Sequence, residues 1–282
     1  MSHPALSPGR VAVITGAASG IGLAAARKFA GLGMKVCMAD ANAEALKSAA
    51  ATVAASAKGP DDVRAFPLDV SDLAEVQAFQ RACYAAFGEV AVLMNNAGIG
   101  GGGGVFGDPQ RWRRLIDVNL WGVINGLQSF GPKMLEQGTP CAIINTGSKQ
   151  GITTPPGDTA YNVSKAGVKA FTEALQHELR NTAGCRISAH LFIPGFVFTG
   201  LTANGRSEKP AAAWTPEQTV DFMIEKVEAG DFYILCPDND VTRQLDERRI
   251  LWAASDIVDN RPPLSRWHPD YAEAFAAFVK GR

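Results

Sequence analysis

Pairs are missing among the cysteines. The five, Cys37, Cys83, Cys141, Cys185 and Cys236, are odd in number, scattered, and contain no Cys-x-x-Cys motif. That spacing argues against a disulfide framework or a zinc site and suits a reducing compartment. No apolar run approaches the roughly 18 residues needed to cross a bilayer. The stretch up to Gly9 lacks the apolar core of a signal peptide. Charge of one sign is also missing: 27 Lys and Arg against 28 Asp and Glu leave a formal −1. Such a chain has no overall pull on phosphate backbones or anionic lipids, so neither nucleic acid nor membrane is an expected partner. Repeats are absent, and low complexity is confined to five glycines at 100–104. What remains is the expectation of a cytoplasmic globular protein, 282 residues long, 46% hydrophobic and 20% charged.

Short β-rich runs at 11–15, 35–40, 63–69, 91–95, 141–146, 187–193 and 232–236 alternate with helical patterns at 41–57, 71–87, 108–130 and 159–181. Most of the runs are continuously apolar, as strands buried on both faces are. The alternation predicts right-handed crossovers and an α/β, Rossmann-type doubly wound parallel sheet of about seven strands. Residues 1–237 form that single domain in this reading. Residues 238–282 form a C-terminal helical extension, packed on the same domain or on a neighbouring subunit. Its Trp267, Tyr271, Phe275 and Phe278 follow helical spacing and suggest an apolar stripe. Residues 196–214 are long for a structureless connection and read as a mobile substrate lid. Ser71 is expected to cap the third helix. The Asp246-Glu247-Arg248-Arg249 run reads as a solvated helical face.

The first strand runs into Thr15-Gly16-Ala17-Ala18-Ser19-Gly20-Ile21-Gly22 and then a helix. Glycines there let the backbone turn tightly and approach a pyrophosphate, which the helix N-terminus faces with unpaired N–H groups. Asp40 ends the second strand, where a carboxylate accepts from the adenosine ribose hydroxyls and repels a 2′-phosphate. Ala41 follows, not an arginine. The reading is NAD(H) preferred over NADP(H). Further on, Ser148 follows the fifth strand, and Tyr161 and Lys165 lie one turn apart on one helix face. An ammonium beside a phenol is expected to lower its pKa toward that of a usable general acid/base, with Ser148 holding the substrate oxygen.

Taken together, these pieces resemble the short-chain dehydrogenase/reductase family. The resemblance rests on the ordered set Thr15-Gly16-x-x-x-Gly20-x-Gly22, Asp69, Asn95-Asn96-Ala97-Gly98, Asn119, Ser148, Tyr161-x-x-x-Lys165 and Pro194-Gly195 with Thr199. It covers residues 10 to about 200, and the last helix and strand extend it to about 237. It implies a catalytic set of Asn119, Ser148, Tyr161 and Lys165. It also implies that Gly16, Ser19, Gly20, Ile21 and Gly22 meet the cofactor phosphates, with Asp40 on the ribose. Asp69 and Val70 would contact the adenine. Asn96, Ala97 and Gly98 would support the ribose and the sheet. Asn119 would hold a proton-relaying water, and Lys165 would also bind the nicotinamide ribose. Pro194, Gly195, Val197 and Thr199 would also contact the cofactor, Thr199 fixing the nicotinamide carboxamide.

The implied activity is hydride exchange between a secondary alcohol or ketone and nicotinamide. Alternatives are an NADP-dependent carbonyl reductase and a non-catalytic dinucleotide-binding protein. The family also implies a homodimer or homotetramer. Three features depart from its usual pattern. Lys149 and Gln150 are bulkier than usual beside the pocket, and His190 stands where Asn is common and reads as structural. Lys149, Gln150, Phe196, Phe198 and Trp214 are the substrate-side candidates, Trp214 closing the lid.

Overall fold

The computed structural model describes residues 3–203 and 205–281. Asn204, inside the expected lid, lies outside the described residues. Seven strands form one sheet in the order β3-β2-β1-β4-β5-β6-β7. They are β1 (Val11–Thr15), β2 (Lys35–Asp40), β3 (Val63–Pro67), β4 (Val92–Asn95), β5 (Cys141–Thr146), β6 (Ile187–Ile193) and β7 (Tyr233–Leu235). Every pairing is parallel, which matches the continuously apolar runs: β1, β4 and β5 are buried along their whole length.

Helices cover both faces. On one, α1 (Gly20–Gly31) and α8 (Pro216–Ala229) pack Ala25, Phe29, Met223 and Val227 onto the sheet, beside α2 (Ala43–Ala54). On the other lie α3 (Leu73–Phe87), α5 (Gly122–Gln137) and α7 (Thr159–Asn181), with Phe79, Phe130 and Met134 in the core. The chain winds outward from β1 to β3, then returns to pair β4 with β1 on its other side. A crevice opens beyond the carboxyl ends of strands where the winding reverses, and such crevices are where open α/β sheets bind ligands.

The helix expected at 108–130 is three pieces. α4 (Pro109–Ile116) leads into a π-helical turn, Asp117–Trp121, and then α5 continues through Pro132 to Gln137. Buried Phe130 and Met134 flank that proline, and Gly138 closes the helix in a left-handed conformation. Ser71 does not cap α3; Asp72 does, accepting from Ala74 and Glu75 N–H, because the Ser71 hydroxyl donates to Asp69 at 2.7 Å. Thr215 and Gln218 close a reciprocal capping box on α8.

After β7 come α9 (Arg243–Val258) and α10 (Ala272–Val279). Trp252 of α9 meets Phe275 and Phe278 with ring centroids 5.4 and 5.3 Å away, so these two residues of the tail's apolar stripe pack within the tail itself. No helix among the described residues is long and apolar enough to cross a membrane.

Candidate active site

A cavity of about 490 Å³ opens at the carboxyl ends of β1, β4, β5 and β6. At one end the loop from β1 to α1 bends round Gly16 at φ +65°. A methyl at Gly16 would lie 2.7 Å from Ala97 Cα, and one at Gly22 only 2.1 Å from the Gly16 carbonyl oxygen. Asn96 holds this loop by donating its amide to Thr15 and Gly16 carbonyls at 3.1 and 3.3 Å. Ser19 precedes α1, but its side chain makes no cap, and no acidic residue lies in the first turn. The first N–H groups of α1 are thereby left for an external anion. Asp40 stands beside them, its carboxylate accepting from Ala18 and Asn42 N–H at 3.0 and 2.9 Å.

At the other end are Ser148, Tyr161 and Lys165, all lining the same cavity. Lys165 is 4% exposed and donates to the Thr146 carbonyl at 2.8 Å. Burial lowers its ammonium pKa to about 8. The Tyr161 phenol is pushed above its ordinary value, because burial outweighs the hydrogen bond with Ser148 that pulls it down. The expectation of a phenol depressed by its neighbouring ammonium is therefore corrected. Lys165 Nζ is 5.7 Å from the ring centroid and is spent on Thr146.

That correction sets a pH dependence. Accepting a proton from an alcohol requires phenolate, and a phenol held high is almost wholly protonated at neutral pH. Any reaction in which Tyr161 takes a proton from an alcohol would gain up to about tenfold in kcat/KM per pH unit through the neutral range, and the reverse direction would be nearly flat there. Parallel pH–rate profiles in the two directions check this, and an oxidation rate flat from pH 7 to 9 would contradict it.

Of the other expected residues, Gly16, Ser19, Gly20, Ile21, Asn96, Ala97, Gly98, Pro194, Gly195, Val197, Thr199, Lys149, Gln150 and Phe196 line the cavity. Asn119 sits in the π-helical turn, fully buried, with its amide locked onto Ile99 N–H and C=O at 2.8 Å each. π-turns recur at functional positions. Gly22 and Asn119 support the walls without lining them. Asp69 and Val70 are also outside the lining: Asp69 pairs with Arg114 at 2.8 Å, and the Val70 carbonyl accepts from Asn125 at 3.0 Å.

Phe198 and Trp214 do not reach the cavity. Backbone bonds tie Phe198 N–H to Trp214 C=O and Trp214 N–H to Phe196 C=O, both at 2.9 Å, and the Trp214 ring packs on Phe222 of α8. The stretch expected to be a lid is thus pinned at its base. Pinning also holds the glycine run, where Asp158 accepts from Gly101 and Gly103 N–H at 2.9 and 3.0 Å beside Tyr161. His190 is structural, bonded to Asp231 C=O and the Ser188 hydroxyl at 2.7 and 2.8 Å.

Two residues near the site were missed by sequence reasoning. Asp246, expected on a solvated face, has a side chain only 6% exposed and pairs with Lys149 at 2.5 Å. Asp238 accepts from Phe196 N–H at 3.1 Å and also reaches Lys149 at 3.4 Å. Among the described residues no group of three or more His, Cys, Asp or Glu gathers as a metal would need.

A glycine-cradled anion site at one end of a switch-point crevice and a Ser-Tyr-Lys group at the other define a nucleotide-binding oxidoreductase scaffold. The short chain dehydrogenase family model matches residues 10–210, and the chain belongs to that family. It is 32% identical over 268 residues to the 1-deoxy-11-beta-hydroxypentalenate dehydrogenase of Streptomyces exfoliatus, covering 92% of this chain and 94% of that one. Among solved structures it is similar to a Burkholderia phymatum short chain dehydrogenase/reductase in complex with NAD. The TM-score is 0.82 and the identity 34%, over 93% of this chain and 98% of the other. A metagenomic short-chain oxidoreductase in complex with NADP is also similar, with TM-score 0.67 and 29% identity, over 82% and 98%.

Proposed function

We propose that the protein is an NAD(H)-dependent dehydrogenase of secondary alcohols, with Tyr161 as general acid/base. One observation carries the reading: Ser148, Tyr161 and Lys165 share one cavity with Asp40 and the glycine cradle. The cradle fits a dinucleotide, since Gly16 and Gly22 let the loop pack tightly on Ala97 and on itself while the first N–H groups of α1 stay uncapped. When bound, the nicotinamide supplies the hydride acceptor.

In this reading the phosphates lie against the N–H groups of α1, with Gly16, Ser19, Gly20 and Ile21 around them. Asp69 and Val70 lie toward the adenine, and Pro194, Gly195, Val197 and Thr199 toward the nicotinamide. Ser148 donates a hydrogen bond to the substrate oxygen and orients it toward Tyr161. Tyr161 Oη takes the alcohol proton as the oxygen becomes a carbonyl. Lys165, bonded to the Thr146 carbonyl, braces the floor of the site beside the Tyr161 ring, and Asn119 keeps Ile99 and the neighbouring backbone fixed. Reduction runs the same steps in reverse.

Asp40 supports the choice of NAD. Its carboxylate is already fixed by two backbone N–H groups, and a 2′-phosphate would bring a second negative charge against it with no arginine next in sequence. The setting proposed is reducing and cytoplasmic, consistent with five free cysteines. The assembly proposed is a homodimer or homotetramer, consistent with the exposed Trp121, Leu135 and Val163.

Titration with NADH and NADPH, followed by nicotinamide fluorescence, tests the cofactor half of the proposal. NADH is expected to bind at least about tenfold more tightly, and Asp40→Ala to erase that margin. Preference for NADPH in the unaltered protein would overturn the Asp40 argument and favour ketone reduction.

A further inference from the structure

We propose that the buried cluster Lys149–Asp238–Asp246 is a positioning device, through which the C-terminal extension holds Ser148 and the Phe196 wall in working register. The inference rests on the proposed dehydrogenase reading. It goes beyond it by making residues after β7 part of the site's machinery.

Lys149 follows Ser148 directly and opens the short helix α6 (Gln150–Thr153), whose first bonds run from Gly151 N–H to Ser148 C=O and from Ile152 N–H to Lys149 C=O. Gln150 N–H donates to the Ser148 hydroxyl at 3.1 Å, so the position of that hydroxyl follows the backbone of this turn. α6 is pressed on α7 at the other catalytic element: a methyl at Gly151 would lie 2.4 Å from the Lys165 carbonyl carbon. The Lys149 ammonium leaves this turn for the extension, 2.5 Å from Asp246 Oδ2 and 3.4 Å from Asp238 Oδ2.

Asp238 is shared. The Oδ2 that meets Lys149 also accepts from Phe196 N–H, and a methyl at Gly195 would lie 2.9 Å from it. Its Oδ1 takes Asp240 and Val241 N–H at 3.2 and 2.8 Å, which fixes the carboxylate itself. One anion thereby fastens two separate walls of the cavity.

Such a three-ion cluster gives little net stability, since desolvating two carboxylates and an ammonium consumes most of the Coulomb gain. Apolar side chains would pack the same space as well. What the ions add is directional geometry, and a displacement of about 1 Å at a reacting group can cost on the order of 100-fold in rate.

Lys149→Met alone leaves Asp238 to its backbone N–H partners and Asp246 to Arg249 at 3.9 Å, with one buried positive charge fewer, so the test pairs it with Lys149→Met/Asp246→Asn, which keeps Asp238 but restores the charge balance. Both variants are compared with the unaltered protein by steady-state kinetics on a secondary alcohol and by amide hydrogen exchange. The double variant is expected to lose about 10- to 100-fold in kcat, with KM for NAD and NADH affinity changed less than about twofold. Exchange should quicken at 150–154 and 196–199 but not at 16–24. A merely structural cluster would lower the melting temperature and leave that kcat–KM split absent. Unchanged exchange at both walls, or unchanged kcat with quickened exchange, would overturn the proposal. If the unaltered protein oxidises no alcohol with either nucleotide, the dehydrogenase reading fails, and the exchange at 150–154 and 196–199 still decides whether the cluster fixes the walls.

Discussion

Tyr161→Phe is expected to lower kcat by about 10²–10⁴-fold while NADH binding stays within about twofold. At 1.36 kcal/mol per decade that is about 3–5 kcal/mol of transition-state stabilisation. The substitution removes one oxygen and keeps the ring, so the packing of Lys165 above it at 5.7 Å from the centroid survives. Ser148 keeps its bond from Gln150 N–H, and the cradle round Gly16 lies at the other end of the cavity. No other group there can replace the phenol. Lys165 is buried and bonded to Thr146, and the remaining lining is backbone, amide, hydroxyl and apolar side chain apart from Asp40 and Lys149. Single-turnover measurement of nicotinamide absorbance, beside the NADH titration, separates chemistry from binding. Turnover within about tenfold of the unaltered protein would sink Tyr161 as the acid/base.

The parts of this molecule that follow local rules were legible from the residues. β1, β4 and β5 are continuous apolar runs because both their faces are covered. Gly16-x-x-x-Gly20-x-Gly22 and Tyr161-x-x-x-Lys165 are short-range patterns whose geometry is set by one turn and one helix. The misreadings share a different cause. Lys149 meets Asp238 across 89 positions, so no window of sequence contains both. Asp246 sits in a charged run that looks solvated until α9 folds onto α6. Trp214 stands at the end of a loose stretch of sequence, yet its backbone pairs with Phe196 and Phe198 and its ring packs on Phe222 of α8. The setting of Asn119 has the same origin, since its side chain is held by the Ile99 backbone 20 positions earlier. The raised phenol likewise reflects burial, a property of the packed fold that residue spacing does not carry.

Gly22→Ala is expected to weaken NADH binding by about 100-fold or more, about 2.7 kcal/mol. The added methyl would lie 2.1 Å from the Gly16 carbonyl oxygen and 2.7 Å from Asn96 Nδ2. Neither can simply withdraw. The Asn96 amide is bonded to Thr15 and Gly16 carbonyls, and Gly16 is already backed against Ala97. The loop must therefore shift as a unit, carrying the N–H groups of α1 away from where an anion would sit. Overpacking of this kind costs about 1–3 kcal/mol in stability, which leaves a typical domain folded. The same helix supplies the control. At Gly31 a methyl meets nothing within 4 Å, so Gly31→Ala should bind NADH normally and unfold at an equal or higher temperature. Circular dichroism on both variants separates a displaced loop from a lost fold. A folded Gly22→Ala protein that binds NADH within about threefold of the unaltered one would show that the dinucleotide phosphates do not lie against the N-terminus of α1.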